Sequence, residues 1–265
     1  MSAPTERRSP SPWRALSSWR LIGVHILAVG LVVLMVALGF WQLRRHDERL
    51  SFNDAVRDRA GRTPVSLQDL LSSDTPANER PWVTVTVRGA WLDLPQVVVV
   101  NRSQDGRAGV NVVGVVELRD GRRVIVNRGF VPLTIAPPTT PRGEVTLLGR
   151  VRASEVRRRG MLTDPDEGVL REVQRIDIER LAPQFGDGLV DVYVDVLDSA
   201  PADSPELSRI AEPELTLGPH LSYAVQWFVF SGFAVIAWFV IVRRALARAR
   251  RETTPGAASD AMNHA

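Results

Sequence analysis

Two uncharged apolar stretches, one near each end of the chain, constrain its fold more than any other feature. The first runs from Leu21 to Phe40 with His25 as its only ionisable residue, and the second runs from Leu221 to Val242. About twenty residues of α-helix span roughly 30 Å, the thickness of a bilayer's hydrocarbon core. Each stretch is therefore predicted to be a transmembrane helix. The first is too long, and too rich in flanking Arg, for a cleaved signal peptide.

The arginines that flank the second stretch predict its orientation. Five of them follow it within about ten residues, whereas the segment before it is acidic. Because basic residues are enriched on the cytoplasmic side of membrane helices, the C-terminus is predicted to be cytoplasmic. Two spans return the chain to the side on which it began. We therefore expect a multi-pass membrane protein with both termini in the cytoplasm.

This topology divides the chain into five parts. We predict a disordered cytoplasmic tail at 1–18, a transmembrane helix at 19–42, an extracytoplasmic β-rich domain at 43–219, a second transmembrane helix at 220–242, and a basic, then disordered, cytoplasmic tail at 243–265. The charged residues after the first span are predicted to continue its helix past the membrane.

Strand patterns dominate the central domain. Runs of β-branched residues alternate with turn signals, of which Asp120-Gly121 is the strongest hairpin signal. The predicted strands are Trp82–Arg88, Gln96–Asn101, Val110–Leu118, Arg123–Asn127, Glu144–Val151 and Leu189–Leu197. Short helices are predicted at Ser66–Leu71 and at Asp177–Phe185, the second one cut by Pro183. The predicted fold class is membrane-anchored α+β, in which two transmembrane helices flank a mostly antiparallel β-sheet or open barrel.

Composition argues against several function classes. The chain has no Cys and four Met, so it lacks the soft ligands of a copper chaperone, and no copper is expected. The central domain has a single histidine, His46, which leaves no Ser-His-Asp set and no His-rich zinc site. Asp187, Asp191 and Asp195 could meet a hard cation, but we favour one solvated strand face. We predict that the protein is not an enzyme and has no nucleic-acid partner.

His220 is the leading candidate for a functional residue, because it stands where the second apolar stretch enters the bilayer. On a helix, His220, Tyr223 and Trp227 share one face. Neutral imidazole is a common haem ligand, so His220 is a candidate axial ligand of haem iron, with the two aromatic rings against the macrocycle. The alternative is an interfacial histidine that binds water or headgroups beside an ordinary aromatic belt.

A second group of candidates ends the first apolar stretch. Trp41 and Gln42 lie at the same predicted membrane level as His220, so two helices could present a shared cleft to a flat, lipophilic cofactor. His46 follows about one turn beyond Trp41 and is a candidate second axial ligand. His25 lies at the other end of this span, and we expect it to turn toward the interface or the other helix.

Three motifs occur in order between the two ends of the chain. Leu38–Arg45 has the sequence Leu-Gly-Phe-Trp-Gln-Leu-Arg-Arg and is followed by Arg49. Val126–Pro132 has the sequence Val-Asn-Arg-Gly-Phe-Val-Pro, and Pro219–Phe228 contains His220 at a helix start. Together they resemble the surfeit locus protein 1 family, the membrane-bound assembly factors of haem-copper cytochrome c oxidase. The family usually has Lys at the position of Arg49, and this chain contains no Lys.

The resemblance implies a non-catalytic role in building the oxidase. Bacterial family members are associated with binding haem a and with its delivery to the catalytic subunit. The implied partners are that subunit, the haem a synthesis machinery and the lipid bilayer, and His220 is carried over as the axial ligand. The alternative function is a cofactor-free scaffold or accessory subunit that stays with the oxidase complex.

Arg128 is a candidate binding residue because of its position in the sequence, independently of the family resemblance. It follows a β-run and precedes Gly129, where the chain is expected to bend. Its guanidinium could bind a haem propionate or an acidic partner loop. The alternative, which we favour slightly, is a salt bridge that ties the strand to a loop.

Overall fold

The computed structural model of the chain describes residues 19–165 and 168–252, so the two predicted tails lie largely outside the described residues. The described chain forms two compact units, a helical unit of residues 19–51 with 216–252 and a β-domain of residues 52–215. The helices are α1 (Trp19–Ala60), α2 (Leu67–Leu71), α3 (Ile178–Phe185) and α4 (His220–Glu252). A single 3₁₀ turn occupies Ala77–Glu79 within this described part.

The helical unit pairs α1 with α4, which contain the two apolar stretches and are long and apolar enough to cross a membrane. They run antiparallel, since His25 contacts Trp238 near one end and Gln42 contacts His220 near the other. Less exposed side chains recur every three to four residues along both helices, as expected for one packed face. We call this face the helix seam; it includes Val24, His25, Ala28, Val32, Val36, Gly39, Gln42, His220, Ala224, Phe228, Ser231, Ala234, Trp238 and Val242.

The β-domain is built on one eight-stranded mixed sheet. Its strands are β1 (Val65–Ser66), β2 (Thr84–Trp91), β3 (Val97–Gln104), β4 (Arg107–Leu118), β5 (Arg123–Pro132), β6 (Gly143–Ala153), β7 (Glu172–Val173) and β8 (Leu189–Ala200). Their order is β1-β2-β6-β8-β5-β4-β3-β7, and β2 also pairs with β4. This extra pairing closes β2, β6, β8, β5 and β4 into a barrel. Antiparallel pairs dominate, as predicted, and the parallel ones are β1–β2, β3–β7 and β5–β8.

The six long strands lie where the sequence predicts them, with ends that differ by a few residues. The Asp120-Gly121 turn joins β4 to β5, and the Leu118 N–H donates to the Arg122 carbonyl across it at 2.7 Å. Pro183 does not cut α3, contrary to the prediction, because its turn is held by burial of Leu181 and Phe185. The short strand β7 was not predicted, because the segment around it has no strand periodicity. It pairs with β3.

Two apolar cores lie on opposite faces of the sheet. Along β8, the side chains of Val192, Val194 and Val196 enter one core, whereas Tyr193 enters the other. This alternation follows from the two-residue period of a strand. The core that contains Tyr193 is covered by α3, whose Ile178, Leu181 and Phe185 are buried in it. The domain thus buries both sheet faces without a disulfide, since the chain has no Cys.

Asp195 lies on β8 and is only 5% exposed. It accepts hydrogen bonds at 2.7 Å from the Asn127 amide and from the Arg152 guanidinium, which lies 4.0 Å from the centre of the Trp82 ring. Burial raises the pKa of Asp195 above its usual value, and the charge of Arg152 opposes that shift. The prediction that this aspartate is solvated is wrong, because side chains from β5 and β6 cover it.

A side chain at Gly89 should disrupt the barrel closure. Gly89 pairs with Leu118 of β4 and with Val145 of β6, and an added Cβ would overlap the carbonyl oxygen of Glu117. We expect Gly89→Ala to lower the free energy of unfolding by about 1–3 kcal/mol, since the paired backbones must move apart. Thermal unfolding of the detergent-purified chain, followed by circular dichroism, measures this change. The control is Ser103→Ala, at an exposed position of β3. Equal thermal unfolding midpoints for the two variants would contradict the closure of the barrel by β2 and β4.

Candidate cofactor site

His220 begins α4, and its ring contacts α1. The Nδ1 atom of His220 lies 2.9 Å from Oε1 of Gln42. An amide oxygen can only accept, so Nδ1 carries the proton in this pair. The neutral ring then has its lone pair on Nε2, the atom that a metal would bind. Metal-ligating histidines in proteins are oriented by this kind of hydrogen bond on the other ring nitrogen.

The residues before α4 leave space beside the free nitrogen. The Pro219 carbonyl accepts the Tyr223 N–H at 3.0 Å, which forms the first turn of the helix. Gly218 has a φ of +63°, a conformation that favours glycine. A Cβ on Gly218 would lie 3.3 Å from Cδ2 and 3.4 Å from Nε2 of His220. The absence of a side chain at this position therefore keeps the Nε2 edge of the ring accessible.

The three predicted aromatic residues, Trp41, Tyr223 and Trp227, lie on the same two helices as this pair. Trp41 and Tyr223 are about half exposed, at 46% and 48%. The Trp227 ring is partly buried and packs edge-on against Phe230, with 6.2 Å between the ring centres. The structure thus brings His220 and Gln42 into direct contact, while roles for these three rings against a macrocycle remain predictions.

Phe228, which the sequence analysis did not single out, packs across the helix seam. Its ring packs edge-on against Phe40 at 5.5 Å between centres, and a Cβ on Gly39 would lie 2.7 Å from it. Small residues let membrane helices approach closely, so Gly39 opposite a large ring is the signal that could have revealed this contact. The contact fixes the spacing of the helices next to the His220–Gln42 pair.

His46 follows Gln42 by one helical turn. Its Nδ1 atom is buried and has no hydrogen-bond partner among residues 19–165 and 168–252. Buried polar atoms normally find partners, so an unsatisfied imidazole nitrogen one turn from Gln42 is consistent with a ligand-binding role. His46 stays a candidate second axial ligand.

His25 lies at the opposite end of the helix seam. Its Nδ1 accepts a hydrogen bond of 2.8 Å from the Trp238 indole, and the two rings pack edge-on at 5.7 Å between centres. The expectation that His25 turns toward the interface or the other helix fits this contact. The pair joins α1 to α4 at that end, as His220 and Gln42 do at the other.

Arg128 lies on β5, and its side chain is fully buried. It donates to Asp203 at 2.7 and 2.9 Å and to the carbonyls of Pro138 and Thr139 at 3.0 Å, and its guanidinium lies 5.8 Å from the Trp91 ring centre. All three guanidinium nitrogens therefore have acceptors within the β-domain. This geometry favours the salt bridge that ties strand to loop over a propionate contact.

Comparison with known proteins identifies the family. The SURF1 family pattern matches residues 29–232, from within α1 to within α4. The chain belongs to the SURF1 family. This confirms the resemblance to the surfeit locus protein 1 family, and its three motifs all lie within the matched residues.

Individual SURF1-like proteins match this chain over different shares of their length. An uncharacterized SURF1-like protein of Mycobacterium tuberculosis is 28% identical over 238 residues, which cover 85% of this chain and 86% of that protein. A SURF1-like protein of Caenorhabditis briggsae is 23% identical over 239 residues, covering 80% and 73%. One of Dictyostelium discoideum is 30% identical over 104 residues, covering 37% and 38%. The similarity to the mycobacterial and nematode proteins thus covers four-fifths or more of this chain.

Removing the Arg128 guanidinium should destabilise the β-domain strongly. Arg128→Met leaves the Asp203 carboxylate and two carbonyls without their donor, so we expect a loss of about 3–5 kcal/mol in the free energy of unfolding. The matched control is Arg142→Met, because Arg142 pairs with Asp93 while both side chains are about four-fifths exposed, at 81% and 79%. The control should lose about 1 kcal/mol or less. Urea unfolding followed by circular dichroism measures both, and similar losses would contradict a structural role for Arg128.

Proposed function

We propose that this SURF1 protein binds haem a through His220 and aids its insertion into the catalytic subunit of haem-copper cytochrome c oxidase. Membership of the SURF1 family is consistent with an oxidase assembly role. The observation that carries the haem proposal is the His220–Gln42 hydrogen bond, which directs the lone pair of a neutral imidazole to Nε2.

The residues around His220 suit a haem ligand in three respects. Gly218 leaves room beside Nε2, and the half-exposed rings of Trp41 and Tyr223 provide apolar surface. His46 has a buried nitrogen that could serve the second axial position. The imidazoles of His220 and His46 would hold the iron of a bound haem, which is the group that the oxidase would receive.

The proposed location follows from the apolar helices and the arginines that flank them. The site would lie at the outer face of a bacterial cell membrane, with both termini in the cytoplasm and the β-domain outside. The proposed partners are the haem a synthesis machinery, as the donor of haem, and the oxidase catalytic subunit, as its recipient. Arg243, Arg244 and Arg248 of α4 support this orientation by their charge.

Replacing His220 tests the ligand. We expect the detergent-purified chain, co-expressed with haem a synthesis, to show a haem a absorption spectrum that His220→Ala abolishes. His25→Ala is the matched control, since His25 is the other histidine within the helix seam, and it should retain the spectrum. Circular dichroism of both variants should match that of the wild type. Unchanged haem content in His220→Ala would contradict the assignment.

The same preparation distinguishes a cofactor-free scaffold. A scaffold would co-purify with mature oxidase in a fixed ratio and stay colourless when isolated. A haem-handling factor would carry haem when separated from the oxidase.

Gln42 acts in this proposal as a positioning residue for the His220 ring. Loss of such a hydrogen bond typically weakens metal binding by about 10- to 100-fold, so Gln42→Leu should weaken haem binding to that extent. Gln42→Glu should retain haem with a lower reduction potential, because a carboxylate partner makes the imidazole more basic. Gln226→Leu makes the same change at an exposed position of α4 and serves as the control. If the wild type and Gln42→Glu had the same reduction potential, that result would contradict a hydrogen bond between residue 42 and the His220 ring.

A further inference from the structure

A cleft of about 400 Å³ lies on a solvent-exposed face of the β-domain, where β2, β6 and β8 are neighbours in the sheet. Its lining is mostly polar and includes two arginines: Arg88, Arg119, Glu144, Val145, Thr146 and Ala200. This volume is large enough to hold a small molecule. The cleft belongs to the β-domain alone and shares no residue with the helix seam.

The strand register places the two arginines of this cleft side by side. Arg88 of β2 pairs with Thr146 of β6. At the other edge of β2, Gly89 pairs with Leu118 of β4. The next residues along these two antiparallel strands, Arg88 and Arg119, are therefore opposite each other. Residues that are opposite each other in an antiparallel pair point to the same side of the sheet. The backbone thus holds both guanidinium groups over one cleft.

The positive charge of this cleft has no partner within the described part of the chain. Arg88, Arg119 and Glu144 are all exposed, and none of the ion pairs among residues 19–165 and 168–252 includes any of them. Like charges that are directly opposite on neighbouring strands destabilise a sheet. An anion between the two guanidinium groups would remove this repulsion, so the cleft favours an anionic ligand.

We propose that this cleft binds the phosphate group of a small hydroxylated molecule. One guanidinium fork already uses both oxygens of a carboxylate. A phosphate has further oxygens, so it can accept from Arg88, Arg119 and the Thr146 hydroxyl together. Glu144 repels the anion from its end of the cleft, but its carboxylate can accept a hydrogen bond from a hydroxyl group. Glycerol phosphate has this chemistry, either as a free molecule or within a lipid headgroup.

Replacing either arginine tests the phosphate site. Calorimetric titration of the detergent-purified full chain with inorganic phosphate and with glycerol phosphate, at constant ionic strength, gives the affinities. Arg88→Met and Arg119→Met should each weaken the binding of both ligands by about tenfold or more, because hydrogen bonds to a charged group are lost. The matched control is Arg107→Met, which should keep both affinities. Arg107 is also exposed and outside those ion pairs, but it lies at the other end of β4.

Replacing Glu144 tests the hydroxyl contact. Glu144→Gln removes a repulsive charge at the surface, so inorganic phosphate should bind about two- to fivefold more tightly. The advantage of glycerol phosphate over inorganic phosphate should shrink in this variant, because an amide oxygen accepts the hydroxyl proton less strongly than a carboxylate does.

Titration with dioctanoyl phosphatidylglycerol distinguishes the two sources of the phosphate. Tighter binding of this lipid than of glycerol phosphate assigns the site to a headgroup, and weaker binding assigns it to a free molecule. Circular dichroism should show the wild-type fold in every variant. A wild type that binds neither phosphate ligand, or equal losses in Arg88→Met and Arg107→Met, would overturn the proposal.

Discussion

Polar side chains within an apolar helix need partners on a neighbouring helix, because lipid supplies none. Both histidines of the helix seam obey this constraint, His220 through Gln42 and His25 through Trp238. The two pairs lie near opposite ends of the seam and so fix the register of α1 against α4. The close approach of the Phe228 ring to Gly39 depends on that register.

Two buried charged groups of the β-domain, Arg128 and Asp195, have their partners within that domain. Arg128 with Asp203 ties β5 to the segment after β8, and Asp195 is covered by Arg152 and Asn127. Buried ion pairs contribute little net stability compared with apolar packing, but losing one partner is costly. Such pairs therefore specify how strands and loops meet, while the valine-rich cores provide most of the stabilisation. This arrangement allows a domain without cysteine to hold long loops against its sheet.

The sequence predicted local structure well and long-range pairing poorly. Strand positions follow from β-branched runs, but the closure of β2 on β4 depends on register, which no local pattern encodes. Arg128 and Asp203 are 75 residues apart, and nothing in the sequence selects one aspartate over another. The pairing of Gln42 with His220 across 178 residues was nevertheless anticipated as a shared membrane level. The bilayer made this prediction possible, because residues at the same side of two membrane spans must lie at the same depth.

The hydrogen bond between His220 and Gln42 uses one ring nitrogen and leaves the other free. A ligand can therefore arrive at Nε2 or depart from it while the bond that aligns α1 with α4 stays intact. Under the proposed function, loading and unloading would leave the packing of the two helices unchanged, so an empty chain would keep the geometry of a filled one. Such a carrier would release its cargo without first coming apart, and it would be ready for the next molecule at once.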